Sequence, residues 1–262
     1  MIFSAPLVRA LLDGHKTQTR RVMNVQPISY VQRTSVHPEK HEKPYLDAYC
    51  GEKKTSLNPR GMSRDWCWWT TDNRCGPFIE RAPCAPGDLV WVRETWRGLV
   101  KINSPWEHYE EGVARYVPSK TECKGIEFLA SNEGSDEPWR PSTQMPRWAS
   151  RLTLRVTDVR AQRLQDISRE DAISEGAVMR PACNGCMSRY DGWSMDWSTV
   201  GAPSKFGVNG ILTEQCISMG DPQGAFFSYW SDIYGQQSYD RNPWVWAISF
   251  DVIRRNVDEV AA

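Results

Sequence analysis

The sequence of 262 residues lacks long apolar runs. A membrane-spanning helix needs about 20 consecutive apolar residues, and no stretch of this chain approaches that length. Residues 1–6 also lack the charged segment and the apolar core of a secretory signal peptide. We therefore expect a cytoplasmic protein without a membrane partner, in which the eight cysteines are reduced thiols.

Net charge is the second missing feature, because 32 basic and 32 acidic residues cancel. The charge is nevertheless uneven: residues 1–64 contain 11 Lys and Arg against 5 Asp and Glu, which gives +6 there and −6 in the remainder. A basic segment can attract phosphate, but this one lacks the dense basic stripe of a dedicated duplex-DNA-binding protein. A solvated basic surface explains it equally well.

A complete phosphate-binding loop is also lacking. Lys16 and Thr17 follow Gly14, but the earlier glycine of the Walker motif is missing. The pattern therefore disfavours nucleotide hydrolysis.

What the chain does contain is a series of short periodic segments. Alternating or continuous apolar residues predict strands, and apolar residues spaced three and four apart predict helices. The predicted strands lie at 2–4, 89–96, 113–117, 151–159 and 244–252, and the predicted helices at 6–13, 167–176 and 225–234. The stretches at about 24–86 and 179–222 show little periodicity, and we interpret them as two long irregular insertions.

This order of elements predicts an α+β protein. Parallel βαβ units at regular spacing are missing, which disfavours a doubly wound sheet. Strands of this length, separated by single short helices, favour a small mixed β-barrel. We therefore predict a single domain over residues 1–262, interrupted by the two insertions.

Four segments together resemble a known family. Residues 12–21, Leu-Asp-Gly-His-Lys-Thr-Gln-Thr-Arg-Arg, are similar to the Gly-x-Lys-Thr-x-Thr signature of ASCH domains, a branch of the PUA-like barrel superfamily. Gly-Asp-Leu-Val-Trp-Val at 87–92 resembles the strand that follows in that family. The segments at 167–176 and 244–250 resemble its next helix and its closing strand. The long insertions resemble those of the larger ASCH-like proteins encoded by phages and prophages.

The resemblance implies a PUA-like β-barrel with a pocket for a nucleoside or single-stranded RNA. Small bacterial acetylcytidine amidohydrolases of the family use a Lys, a Thr and a Glu, and the motifs place these on Lys16, Thr19 and Glu175. The family pattern implies Thr19 as nucleophile, Lys16 as its base and Glu175 as orienting acid or base. The candidate substrate-binding residues are His15, Thr17, Arg20, Arg21, Trp91 and Trp96.

The proposed base must lose its proton to act. An unperturbed lysine has a pKa of about 10.4. Burial or a neighbouring arginine, Arg20 or Arg21, would lower that pKa, whereas a carboxylate from Glu175 would raise it. The sequence does not decide which influence is larger.

Three functions therefore remain open. The first is an amidohydrolase that acts on an acylated nucleobase. The second is a reader of RNA or of a modified base, in which basic residues contact phosphates and Trp91 or Trp96 stacks a base without catalysis. The third is a phage-encoded interaction protein that binds a host protein through its insertions. None of these requires a cofactor.

The cysteines indicate one metal site to test. Cys183 and Cys186 form a C-x-x-C pair, which can place two thiolates on one structural zinc ion. A tetrahedral site needs two more ligands, and no second C-x-x-C pair supplies them. The remaining candidate ligands are Cys67, Cys75, Cys84 and Cys216. Unpaired buried thiols are the alternative interpretation.

Overall fold

The structure is a computed structural model that describes residues 1–24, 26, 45–48, 65–69, 75–103, 109–132, 137–180, 191–195 and 219–261. Within these ranges the chain forms five α-helices and twelve β-strands. The helices are α1 (Ala5–Leu12), α2 (Arg169–Ser174), α3 (Pro222–Tyr234), α4 (Gln236–Asp240) and α5 (Val257–Ala261). The strands are β1 (Gln18–Val22), β2 (Tyr45–Ala48), β3 (Asp65–Trp69), β4 (Cys75–Arg81), β5 (Leu89–Trp91), β6 (Trp96–Asn103), β7 (Tyr109–Val113), β8 (Gly125–Phe128), β9 (Thr153–Arg163), β10 (Val178–Arg180), β11 (Gly192–Ser194) and β12 (Trp244–Ile253).

A four-stranded antiparallel sheet, in the order β1-β12-β9-β5, forms the centre of the described fold. β12 pairs with β9 along its whole length, and the register shifts between Ser249 and Phe250. Such a bulge bends a strand and increases its twist, and the sheet is curled into half of a barrel. β1 lies at one edge of this sheet and β5 at the other.

The two faces of β12 pack on different cores. Trp246 and Ile248 belong to the main core, which also holds apolar residues of α1 and β9. Val245 points to the opposite face and belongs to a second core, with Ala172 of α2 and Phe226 of α3. This alternation is the expected period of two for a strand buried on both faces. The second core holds α2 and α3 against the face of the sheet that carries the candidate site.

The predicted mixed α/β class is confirmed. The predicted helices at 6–13, 167–176 and 225–234 overlap α1, α2 and α3, and the strands predicted at 151–159 and 244–252 overlap β9 and β12. The predicted strand at 2–4 is reduced to one parallel bridge between Ile2 and Arg93. In the described part of the chain, no helix is both long enough and apolar enough to cross a bilayer.

The prediction of one strand at 89–96 is wrong. β5 ends at Trp91, and β6 begins at Trp96 in a different sheet. Between them the backbone N–H of Arg93 donates to the carbonyl of Met1 over 2.7 Å, and the N–H of Val92 donates to Leu152 over 3.0 Å. These partners come from distant parts of the sequence, so the local apolar pattern could not indicate where the strand divides.

Two further predictions are corrected. The strand at 113–117 is wrong, because β7 ends at Val113 and pairs with β6 in the sheet β7-β6-β8. The regions predicted as irregular insertions contain strands: β2, β3 and β4 form an antiparallel sheet within 24–86, and β10 pairs with β11 near the start of the second region. Charged residues and glycine interrupt several of these short strands, so their period-two pattern is weak.

The start of α2 is fixed by its N-cap. The Ser168 hydroxyl accepts a hydrogen bond from the backbone N–H of Asp171 over 3.0 Å, which satisfies one of the free donors of the first turn. Replacement of Ser168 with Ala is expected to lower the free energy of unfolding by about 1 kcal/mol. Urea denaturation measures the change, and Ser168→Asn, which keeps a capping oxygen, is the matched control. An Ala variant as stable as the parent protein would contradict this role.

Candidate functional site

The loop after α1 places Lys16 beside α2. Gly14 adopts a positive φ of 76° directly after the helix, a conformation that glycine tolerates without steric cost. The backbone N–H groups of His15 and Lys16 then both donate to the carbonyl of Ala10. The next N–H, from Thr17, donates to the carbonyl of Ser174 at the end of α2 over 2.8 Å. The loop is thereby held to both helices before β1 begins.

Lys16 and Glu175 form a buried ion pair. The Lys16 Nζ donates to the Glu175 Oε2 over 2.5 Å and to the Glu175 backbone carbonyl over 2.9 Å. Only 2% of the Lys16 side chain and 4% of the Glu175 side chain are exposed. Water therefore screens this pair little, and the attraction between the two groups is stronger than at a surface.

Arg20 extends the pair into a network. Its Nη1 donates to the Glu175 Oε1 over 3.0 Å, and its Nη2 donates to the Asp171 Oδ2 over 2.9 Å. The same Nη1 lies 2.6 Å from the amide oxygen of Gln18, whose Nε2 donates to the Asp171 Oδ1. The guanidinium is fully buried, so it is placed to orient Glu175. The contact of Arg20 with a phosphate stays a prediction.

The network ends near the surface at Asp171. The Arg160 Nη2 donates to the Asp171 Oδ1 over 2.8 Å, and 45% of the Arg160 side chain is exposed. Burial acts to raise the pKa of Asp171, but the hydrogen bonds from Arg160 and Gln18 and the charge of Arg20 outweigh it, so this pKa lies below its usual value. Asp171 therefore stays ionised and holds Arg20 in place.

Burial also controls the basicity of Lys16. Desolvation is the largest influence and lowers its pKa below the usual 10.5. The charge and hydrogen bond of Glu175 act in the opposite direction, and the charges of Arg21 and Arg20 add to the lowering. The balance that the sequence left open therefore favours a more acidic ammonium group, as a lysine that acts as a base requires.

A small cavity lies over this pair, with a volume of about 40 Å³. Residues of β1, the preceding loop and the end of α2 form one side of it: Lys16, Thr19, Arg20, Arg21 and Glu175. Apolar and aromatic residues of α1 and α3 form the other side: Leu7, Phe226, Tyr229, Trp230, Ile233 and Tyr234. The three candidate catalytic residues therefore converge on one cavity.

Thr19 lines the cavity, although the register of β1 places it on a different face of the strand from Arg20. It is paired with Ile248 of the main core, whereas its neighbours Gln18 and Arg20 are paired with Ser249 and Ala247. Paired residues share a face and successive residues alternate, so Thr19 lies on the opposite face from Gln18 and Arg20. The cavity lining nevertheless includes residues from both faces of this edge strand.

Of the three other predicted binding residues near Lys16, one lines the cavity and two do not. Arg21 lines the cavity and donates from Nη2 to the carbonyl of Ile2 over 2.7 Å. His15 and Thr17 are exposed next to Lys16, outside the cavity lining.

Trp91 and Trp96 lie elsewhere. Trp96 is fully buried in a small separate core with Met145 and Ala149, against which Trp91 packs. Trp91 is on β5, at the edge of the central sheet opposite to β1. The structure therefore does not bring either tryptophan to the cavity. The aromatic wall comes instead from α3, which the sequence predicted as a helix but did not connect with the site.

The described residues contain no group of three or more His, Cys, Asp or Glu side chains arranged to hold a metal ion. Cys84 is not part of a disulfide and is buried in the main core. Cys183, Cys186 and Cys216 lie outside the described residues, and for Cys67 and Cys75 only the strand positions are described. The zinc site therefore stays a prediction.

Comparison of the chain with protein-family models, with curated proteins and with solved structures gives no match in any of the three. The fold and the site by themselves define an α+β protein in which an edge strand and two helices enclose two buried cations and two carboxylates. The function is therefore argued from that geometry.

Proposed function

We propose that this protein is an ASCH-type, PUA-like barrel protein that binds an acylated nucleobase, in a nucleoside or in single-stranded RNA, and hydrolyses its amide bond. The observation that carries the proposal is the convergence of Lys16, Thr19 and Glu175 on one cavity. Burying an ionisable pair costs desolvation energy that an apolar pair of similar size would avoid. Perturbed ionisable groups in a cavity are more frequent at functional sites than elsewhere.

The reaction divides into two transfers of the acyl group. The Thr19 hydroxyl attacks the acyl carbon while its proton passes to the neutral Lys16 amine. The bond to the exocyclic nitrogen of the base breaks, and that nitrogen takes the proton back from Lys16. Water then attacks the acyl ester of Thr19 while Lys16 again accepts the proton. The ester C–O bond breaks, Lys16 returns that proton to the Thr19 oxygen, and the carboxylic acid leaves. One amide and one water thus give one amine and one carboxylic acid.

Glu175 positions the base in this scheme. One carboxylate oxygen holds the Lys16 amine, and the other is held by Arg20, so the carboxylate cannot rotate away without losing a charged partner. A base held in one orientation reduces the entropy lost on reaching the transition state.

Turnover of acetylcytidine tests the proposal directly. The purified protein is expected to release acetate and cytidine in equal amounts, measured by chromatography over time. A protein that binds acetylcytidine or an RNA containing it, yet releases no acetate above the uncatalysed rate, would overturn the hydrolase.

A non-catalytic reader of RNA or of a modified base is the second candidate, and the register of β1 favours it. Thr19 lies on the face of the strand opposite to Gln18 and Arg20, and within the described residues the Lys16 ammonium donates to Glu175 rather than to the Thr19 hydroxyl. A nucleophile needs its base within hydrogen-bonding reach during the reaction. Binding without turnover in the assay above is the outcome that the reader predicts.

A further inference from the structure

The mouth of the cavity carries two exposed apolar side chains from the last turn of α3. Ile233 and Tyr234 both line the cavity, and each is 48% exposed. The Tyr234 ring packs on the ring of Trp230, with the centroids 4.4 Å apart and the planes tilted by 39°. Trp230 is almost completely buried in the second core. Tyr234 is therefore an exposed ring on a fixed support.

The size of the cavity limits what can enter it. A buried water needs about 10–15 Å³ of such space, so about 40 Å³ holds roughly three water molecules. An acetyl group has a similar number of non-hydrogen atoms. A pyrimidine ring with its ribose is several times larger, so the acyl arm fits inside and the ring stays at the mouth.

The charged groups around the cavity already have partners within the protein. Lys16 and Arg20 are paired with Glu175 and Asp171. Arg21 adds a third positive group at the wall, and its Nη2 donates to the carbonyl of Ile2. Because these groups hold protein partners, an uncharged acyl arm can enter without leaving a charge unpaired.

We propose that Tyr234 is a specificity-determining residue that stacks the heterocycle of the substrate at the mouth, while the acyl group occupies the cavity. This inference rests on the proposed function, which identifies the group in the cavity as an acyl group. It adds that the heterocycle is the part of the substrate by which the protein distinguishes one amide from another. The preferred substrates are flat, uncharged rings that carry a small acyl amide. Aliphatic amides with the same acyl group lack the surface that Tyr234 binds.

Calorimetric titration with cytidine tests the stacking without any need for turnover. Tyr234→Ala is expected to weaken binding on the order of 10- to 100-fold, the range found when an aromatic platform for one base is removed. Tyr234→Leu keeps apolar volume without a ring and is expected to weaken binding similarly, whereas Tyr234→Phe is expected to bind as the parent does. Tyr116→Ala removes an exposed tyrosine that is not part of the cavity lining, and serves as the matched control.

The outcomes for the two proposals are separable. Equal binding by the parent protein and the Ala and Leu variants, or no binding of cytidine by the parent, overturns the stacking role even if acetate is released from acetylcytidine. Binding that depends on the Tyr234 ring, without acetate release, supports the stacking role and overturns the hydrolase. Circular dichroism of each variant shows whether the fold is kept, and the Leu and Phe variants keep the test valid if the Ala variant unfolds.

Discussion

Lys16→Met is expected to reduce kcat for acetylcytidine hydrolysis by about 10²–10⁴-fold, the usual contribution of a general base. Met has nearly the length of Lys and fits an apolar environment, so the variant removes the amine with little change in packing. Steady-state kinetics measures the effect. Lys120→Met, at an exposed position outside the cavity lining, is the control and is expected to leave kcat unchanged.

The pH profile gives a second measure of the same residue. Only the neutral amine accepts a proton, so kcat is expected to rise with pH until the pKa of Lys16, which burial lowers below 10.5. The same shift affects stability. Between the folded-state pKa and 10.5 the unfolded chain binds one more proton than the folded protein, so the contribution of Lys16 to stability increases as pH rises through that window. Both dependences should be lost in Lys16→Met.

A companion variant tests whether the two groups act together. Thr19→Val removes the hydroxyl at nearly constant volume, and the double variant with Lys16→Met is expected to be no slower than the slower single variant. Residues that act in one step show this lack of additivity. Full activity of Thr19→Val would remove Thr19 from the reaction and leave Lys16 to activate water directly.

Glu175→Gln is expected to lower the free energy of unfolding by about 3–5 kcal/mol, the range found when one member of a buried ion pair is removed. Lys16 and Arg20 both donate to this carboxylate, and neither can reach solvent without moving. Urea denaturation at neutral pH measures the loss. Glu127→Gln is the matched control, because Glu127 pairs with Arg97 at a more exposed position and away from the cavity.

A double variant identifies the cause of that loss. Lys16→Met combined with Glu175→Gln removes one cation together with the carboxylate, so it is expected to be more stable than Glu175→Gln alone. A coupling free energy near zero between the two positions would show that the ion pair does not account for the destabilisation.

Local signals in the sequence predicted the parts of the site that are set by short-range structure. The segments predicted at 6–13, 167–176 and 244–252 each depend on residues a few positions apart, and the structure has α1, α2 and β12 there. The convergence of Lys16 and Glu175 was available only through the resemblance to ASCH domains, because nothing near either residue in the chain indicates the other.

The parts that the sequence missed depend on packing between distant segments. The prediction of Trp91 and Trp96 as stacking residues relied on residue type. β5 carries Trp91 at the edge of the central sheet opposite to β1, and Trp96 is buried on β6 in a different sheet. α3 follows the second insertion, and its position over the cavity is set by the second core. Asp171 was not among the predicted site residues, and its contacts with Arg20 and Arg160 require β1 and β9 to be adjacent to α2.

The two members of the buried ion pair are separated by 159 positions along the chain. The entropy lost when a flexible chain is closed grows only with the logarithm of its length, so doubling the intervening sequence costs about 0.6 kcal/mol. Loops between β1 and α2 can therefore gain or lose many residues in evolution with a small effect on how often the amine and the carboxylate meet. New surfaces can be acquired there while the chemistry of the cavity stays constant.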